Sequence, residues 1–289
     1  MTWTLSAFAD EAGQPADDQI AASRRAGLRF IDLRNVGDYN ITELPEDEAT
    51  AVAAKLNDAG IAVNMFGSPI GKIDIADPVD IDLAKLDHLA KMRDIFGCNA
   101  VRIFSYYNNT NKVGMPQWQD EALSRLEKLR ARAESLDLVL YHENEGGIFG
   151  DHLDQVKAIA DRLRDGRRLL LIFDFDNYNR GGDDVWANWQ ALREQTDAFH
   201  LKDSDASGQH VPIGHGAGRA REILSDALEM GWSGPLSLEP HLRHSAAVLA
   251  THVSGRENES FKDLSAADCF HLAAETAQKL LREIGAEFR

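Results

Sequence analysis

The sequence predicts an α/β protein: a (β/α)8 barrel, or TIM barrel, formed as a single domain by residues 1–289. Three observations predict it. First, a phrase recurs in which a helical stretch closes on Gly and an apolar, β-rich run follows: Gly27-Leu-Arg-Phe-Ile-Asp-Leu33, Gly60-Ile-Ala-Val-Asn-Met-Phe66 and Gly97-Cys-Asn-Ala-Val-Arg-Ile-Phe104, with a looser copy at Gly231-Trp-Ser-Gly-Pro-Leu-Ser-Leu238. Gly just past a helix end takes the left-handed conformation that closes the last turn, and the first three glycines stand about one βα unit apart. Second, eight strand-like runs alternate with eight helical patterns. Third, runs such as Leu169-Leu-Leu-Ile-Phe173 are almost continuously apolar, as in a parallel sheet covered on both faces. An open doubly wound sheet is the competing topology, but no G-x-G-x-x-G follows the first strand.

In chain order, the first strand is expected near 3–9 and the next three follow the capping glycines, near 30–35, 62–67 and 100–106. The fifth is Leu138-Val-Leu-Tyr-His-Glu143 and the sixth runs near 169–176. The seventh is Ala198-Phe-His-Leu-Lys-Asp203, and the eighth, near 235–240, ends Leu238-Glu-Pro-His241. Helices are expected near 16–26, 46–59, 80–96, 117–135, 152–164, 183–194, 219–230 and 265–284. Pro45 and Pro78 stand where a first helical turn begins, and Ser265 is suited to N-cap the last helix. No Pro/Gly/Ser-rich linker divides the chain.

Composition bounds the partners. The 289 residues are 44% hydrophobic and 27% charged, with a net charge of −16 from 31 basic and 47 acidic residues. A duplex-binding protein needs a basic face that displaces counterions from phosphate, so this balance counts strongly against nucleic acid and none is expected as a partner. An anionic membrane surface repels such a chain too, and no apolar stretch reaches the length of a membrane span. Asp10 and Glu11 interrupt the short apolar run at the N-terminus, which carries no basic residue and does not read as a signal peptide. Cys98 and Cys269 make neither a disulfide framework nor a thiolate zinc site. A reduced, cytoplasmic protein is expected.

In a parallel barrel the chemistry sits at the C-terminal ends of the strands. Four consecutive strands end in polar residues there: Glu143, Asp174, His200 and Glu239. Strand parity can turn all four inward. Three carboxylates and an imidazole converging in one bowl repel one another unless a cation neutralises them. Oxygen-rich ligands with one nitrogen suit Mn²⁺, Mg²⁺ or Co²⁺, and Zn²⁺ is compatible. Manganese is the first expectation.

Six short motifs then resemble the xylose isomerase-like TIM-barrel superfamily, the sugar-phosphate isomerase/epimerase group, across essentially the whole chain. They are Phe8-Ala-Asp-Glu11, Gly67-Ser-Pro-Ile-Gly-Lys72, His142-Glu-Asn-Glu145, Phe173-Asp-Phe-Asp-Asn177, Phe199-His-Leu-Lys-Asp203 and Leu238-Glu-Pro-His-Leu242. The resemblance implies one divalent ion held by Glu143, Asp174, His200 and Glu239, with the two glutamates doubling as acid and base. It also implies a small-molecule carbohydrate substrate and, as a family trait, a homodimer or homotetramer. His215, in Val211-Pro-Ile-Gly-His-Gly216, departs from the pattern: relatives usually carry Glu there.

The expected activity is a metal-dependent isomerisation or epimerisation of a ketose or related monosaccharide by proton transfer through an enediolate. The rival is a lyase or dehydratase that expels a β-leaving group from a keto-sugar, 3-keto-glycoside or keto-inositol through the same enediolate. An abasic-site nuclease of this superfamily would carry several zinc ions on many histidines and a basic face, and the charge of −16 opposes it. Retention of all four candidate ligands opposes a non-catalytic module.

Further candidates surround these. Lys72 at the third strand end is assigned to catalysis or to a polyhydroxy or anionic substrate, against the alternative of a loop lysine in solvent. His142 is a proton donor or an orienter, although its parity points it away from the bowl. Lys202, His215 and His241 are assigned to substrate binding. Asp176 competes with Asp174 for the ligand position, and Glu145 with Glu143. Arg34 ends the second strand, and Arg102 reads as an internal salt-bridge partner. Asp151-His-Leu-Asp154 reads as helix capping. Gly214-x-Gly216-x-Gly218-Arg219 either cradles a phosphate or makes a turn. Phe66, Tyr106, Tyr107 and Tyr178 either shield a sugar face or pack in the core. The stretch 241–260 is a lid, a surface excursion or a subunit contact. No G-x-S-x-G elbow or Cys–His pairing suggests a covalent hydrolase.

Overall fold

The computed structural model describes residues 2–249 and 256–289. Eight parallel strands appear in chain order: β1 (Thr2–Ala7), β2 (Phe30–Leu33), β3 (Ala62–Phe66), β4 (Ala100–Ile103), β5 (Val139–Glu143), β6 (Leu169–Asp174), β7 (Ala198–Leu201) and β8 (Pro235–Leu238). Each pairs in parallel with its sequence neighbour from β2 to β8, and β8 pairs with β1. The sheet curls until β1 and β2 lie side by side. At that seam a ninth strand, β9 (Glu287–Phe288), pairs with β1 instead, and among the described residues no backbone hydrogen bond joins β1 to β2.

The helices are α1 (Ala16–Arg25), α2 (Glu46–Ala59), α3 (Asp80–Phe96), α4 (Met115–Ser135), α5 (Leu153–Leu163), α6 (Phe175–Gly181), α7 (Val185–Leu192), α8 (Ala220–Glu229) and α9 (Ala266–Glu283). Gly60 and Gly97 cap α2 and α3 in the left-handed conformation, and Ser265 accepts the Asp268 N–H at the start of α9. Leu, Ile, Val and aromatic side chains from the sheet and the inner faces of the helices form the main core, and Met65, Ile172 and Ala198 make a small separate cluster. Among the described residues no helix is long and apolar enough to cross a membrane.

Two segments differ from the sequence expectation. The sixth strand stops at Asp174, two residues short of the expected end near 176. Asp174 Oδ1 accepts the Asn177 N–H at 2.8 Å and so starts α6, which takes Phe175 and Asp176 out of the strand. Short hairpins at Asn35–Asn40 and Asp203–Val211 follow β2 and β7. The stretch 241–260 is described only in part: a helical turn spans Ala246–Leu249, Arg243 pairs with Glu257 at 2.8 Å, and 250–255 lie outside the described residues.

Candidate metal centre

Register carries four polar residues to one face. Glu143 is opposite Ile172 across β5 and β6, so Asp174, two residues on, shares its side of the sheet. Asp174 is directly opposite His200, and His200 is opposite Ser237, two residues before Glu239. One donor atom from each of Glu143, Asp174, His200 and Glu239 lies within 4.8 Å of the others, and all four residues are buried.

His200 Nδ1 faces the carboxylates, 2.9 Å from Glu143 Oε1 and 3.5 Å from Glu239 Oε2. Lys202 Nζ lies 3.0 Å from Asp174 Oδ2 and 3.8 Å from Glu239 Oε2. Arg102 Nη1 lies 3.3 Å from Glu143 Oε2 and 3.5 Å from Glu239 Oε1. Arg34 Nη1 donates to Glu239 Oε1 at 2.6 Å, while its Nε and Nη2 fork onto Asp10 at 2.9 and 3.0 Å. The Phe8 ring lies against these groups: both guanidinium carbons are 4.7 Å from its centroid, and His200 meets it edge-on. Gly67 is required here, because a Cβ would strike the Phe8 ring and Arg34 Cβ.

Burial raises an isolated carboxyl, and here the neighbours decide the outcome. Against burial, His200 and Arg102 hold the Glu143 carboxyl down at about 2. Against burial, Lys202 and His241 hold the Glu239 carboxyl well below the ordinary range. For Asp174, burial dominates over the Lys202 attraction, and with Glu143 and Asp176 nearby it stands at about 8. Burial works against the charged imidazole of His200, but Glu143 and Glu239 push it up to about 9.

The donor chemistry fits a divalent cation. Asp174 Oδ2 is completely buried and faces the Lys202 ammonium at 3.0 Å without a well-aligned hydrogen bond. An oxygen so placed, among two further carboxylates and an imidazole nitrogen, is the arrangement that a hard or borderline divalent ion completes. Beside it, Glu11 accepts from the His241 N–H at 2.9 Å and lies 2.8 Å from His241 Nδ1, and His241 Nε2 is 3.8 Å from Glu239 Oε1. Burial outweighs Arg34 and raises the Glu11 carboxyl to about 8.

The other expected site residues separate. Lys202 and His241 are brought into the bowl. Lys72 stands at its edge, with Nζ 2.7 Å from Glu145 Oε2 and 4.3 Å above the Phe104 ring. Glu145 is thereby engaged with Lys72 and is not among the four. Asp176 likewise binds Arg180 at 2.6 Å. His142 is not brought to the bowl: alternation turns it to the opposite face, where Nε2 lies 2.9 Å from Ser105 Oγ against Gly150.

His215 requires a correction. It is exposed and lines a surface pocket beside Arg221, Lys279 and Glu283, away from the four ligand candidates. The cause is Asp203, whose carboxylate accepts the N–H groups of Ser204, Gly214, Gly216 and Gly218 at 2.9–3.0 Å. The glycine cluster cradles this internal carboxylate, and folding round it turns His215 outward. A Cβ at Gly216 would collide with Asp203. Phe66, Tyr106 and Tyr178 are core residues, and Tyr107 is half-buried over Gly147.

Sequence reasoning gave no site role to Asp10, Glu11 or Asn177 and only noted Arg34. Asn177 donates to Asn144 O at 2.8 Å and reaches Glu143 Oε1 at 3.4 Å. A signal was present for the others: Asp10-Glu11 and Arg34 follow the apolar runs of β1 and β2, just as the four ligand candidates end later strands.

A family model for xylose isomerase-like TIM barrels matches residues 20–263. The chain belongs to this family. Among solved structures, the family fold is shared with the IOLI protein with a bound zinc atom (14% identity over 97% of this chain and 99% of that one, TM-score 0.74). It is shared with D-psicose 3-epimerase in the presence of D-fructose (13%, 98% and 100%, TM-score 0.73). It is also shared with AsbF of Bacillus anthracis, a probable 3-DHS dehydratase (15%, 96% and 99%, TM-score 0.70). No curated protein matches the chain at the sequence level.

Proposed function

We propose that this family member is a divalent-metal-dependent sugar isomerase or epimerase, acting on a ketose or related monosaccharide by proton transfer through an enediolate. The observation that carries the reading is the convergence of Glu143, Asp174, His200 and Glu239, all buried, with one donor atom from each within 4.8 Å of the others. A divalent ion bound there, manganese by preference, would polarise a carbonyl and its neighbouring hydroxyl and so acidify the C–H between them. Glu143 and Glu239 are both held ionised, so either can accept that proton. Return to the same carbon from the other face gives an epimer; return to the adjacent carbon gives an aldose–ketose pair. Lys202, 3.0 Å from Asp174 Oδ2, would donate to a substrate oxygen, and Arg34 would hold the Glu239 carboxylate in position.

One observation favours elimination as a second reading. Glu11, protonated near neutral pH and adjoining His241 and Glu239, is a buried acid able to protonate a departing hydroxyl. Incubation of the Mn²⁺-supplemented protein with ketoses and 3-keto-sugars separates the two, because isomers conserve mass whereas elimination yields an ultraviolet-absorbing unsaturated ketone. Glu239→Gln should lower kcat about 10²–10⁴-fold. Turnover that survives both chelation and this substitution refutes the mechanism.

A further inference from the structure

We propose that the substrate site extends into a second carbohydrate subsite, so that the preferred substrate is a glycoside or disaccharide with its reactive ring at the four ligand candidates. This deepens the function proposed above and rests on it. The basis is a cavity of about 630 Å³ whose walls include Asp151, Asn177, Asn179, Arg180, Asp205 and Arg256. It lies over the loops that follow β5, β6 and β7, the strands that carry Glu143, Asp174 and His200. Asn177 belongs to both places: it lines the cavity and its Nδ2 reaches Glu143 Oε1 at 3.4 Å. At ~30 Å³ per water the cavity has room for roughly twenty waters, which is ample for a second sugar ring beside the first.

The wall chemistry selects a neutral polyol. Two carboxylates face two guanidinium groups, interleaved with two carboxamides, so donors and acceptors occur together, as hydroxyl groups require. Arg180 is balanced by Asp176 at 2.6 Å and also donates to Asn177 Oδ1 at 2.7 Å, whereas Arg256 donates to the uncharged Ser207 carbonyl. A phosphate ester entering here would meet the two carboxylates of Asp151 and Asp205 against one guanidinium, Arg256, that no wall carboxylate is bonded to, so the walls carry no net positive charge to hold it.

Calorimetric titration of the full chain with Mn²⁺ added tests this, using matched ligands: D-glucose, maltose, cellobiose and D-glucose 6-phosphate, then D-fructose, turanose and D-fructose 6-phosphate. At least one disaccharide should bind ten-fold or more tightly than its parent monosaccharide, equivalent to about 1.4 kcal/mol. Gly146→Trp should bring that ratio to near one, because Gly146 lines the cavity and a Cβ there meets no atom within 4 Å. Circular dichroism checks that the variant folds, and the wild-type ratios decide the matter even if it does not. Equal binding of mono- and disaccharides, no binding of any, or a preference for the phosphates overturns the proposal. Loss of turnover on chelation without a disaccharide preference sinks the subsite alone. A disaccharide preference with chelation-resistant turnover sinks the metal mechanism alone.

Discussion

Arg34→Met is the most informative single perturbation. Arg34 is 2% exposed, and its guanidinium donates to Asp10 at 2.9 and 3.0 Å and to Glu239 at 2.6 Å, with Glu11 at 3.6 Å. Removing one partner of a buried ion pair costs about 3–5 kcal/mol, because the remaining charge is left desolvated. The lower part of that range is expected. Asp10 keeps the Asn35 amide at 2.7 Å, Glu11 keeps His241, and Glu239 keeps the more distant Arg102 and Lys202. Urea denaturation at pH 7 should therefore show a loss of about 3 kcal/mol at constant slope. Arg34→Lys should recover only part of it, since one ammonium cannot fork onto Asp10 while reaching Glu239. In the same variants kcat should fall about a hundred-fold, as Glu239 loses its anchor. A stability change under 1 kcal/mol for Arg34→Met would show that the cluster is not held together by this charge.

Three further outcomes are expected. Asp203→Ala should destabilise by about 3 kcal/mol, because the N–H groups gathered on that carboxylate lose their acceptor, and Asp203→Asn by less; equal melting temperatures would contradict the cradle. Burial holds the His142 imidazole down at about 4, below its ordinary 6.5, so the unfolded chain takes up that proton first. Its contribution is intact above about 6.5 and is lost as pH falls towards 4, about 3 kcal/mol in all, and His142→Gln should flatten that limb of the stability–pH curve. Mn²⁺ at a hundred-fold excess over its Kd should add about 2.7 kcal/mol, read as a rise of several degrees in Tm; His200→Ala should abolish the rise, and an unchanged response would remove His200 from the ligand set.

The architecture was legible because a βα repeat writes its punctuation into the chain. Gly60 and Gly97 sit in the left-handed caps that their positions implied, and Ser265 caps the last helix. The four-residue cluster was legible for the same reason, since strand ends and alternation are local properties. What escaped was non-local. Nothing near Gly214–Gly218 in the chain announces that the anion in its cradle is Asp203, and His215 was misplaced as a consequence. The end of β6 was misjudged because an apolar Phe175 continues the run, whereas the Asp174 side chain starts a helix there. Arg34 could be placed at a strand end, but its partners come from two other strand ends, Asp10 after β1 and the sequence-distant Glu239 after β8.

The junction of β1 with β2 lacks a backbone ladder, and Ser6–Asp32 and Asp10–Arg34 span it with side chains at 2.7 and 2.9 Å. The ring is thus shut by the charges that surround Glu239. Until the β1 and β2 edges meet, Arg34 therefore cannot reach Asp10 and Glu239 together, so the Glu239 carboxylate is anchored by the same event that closes the sheet.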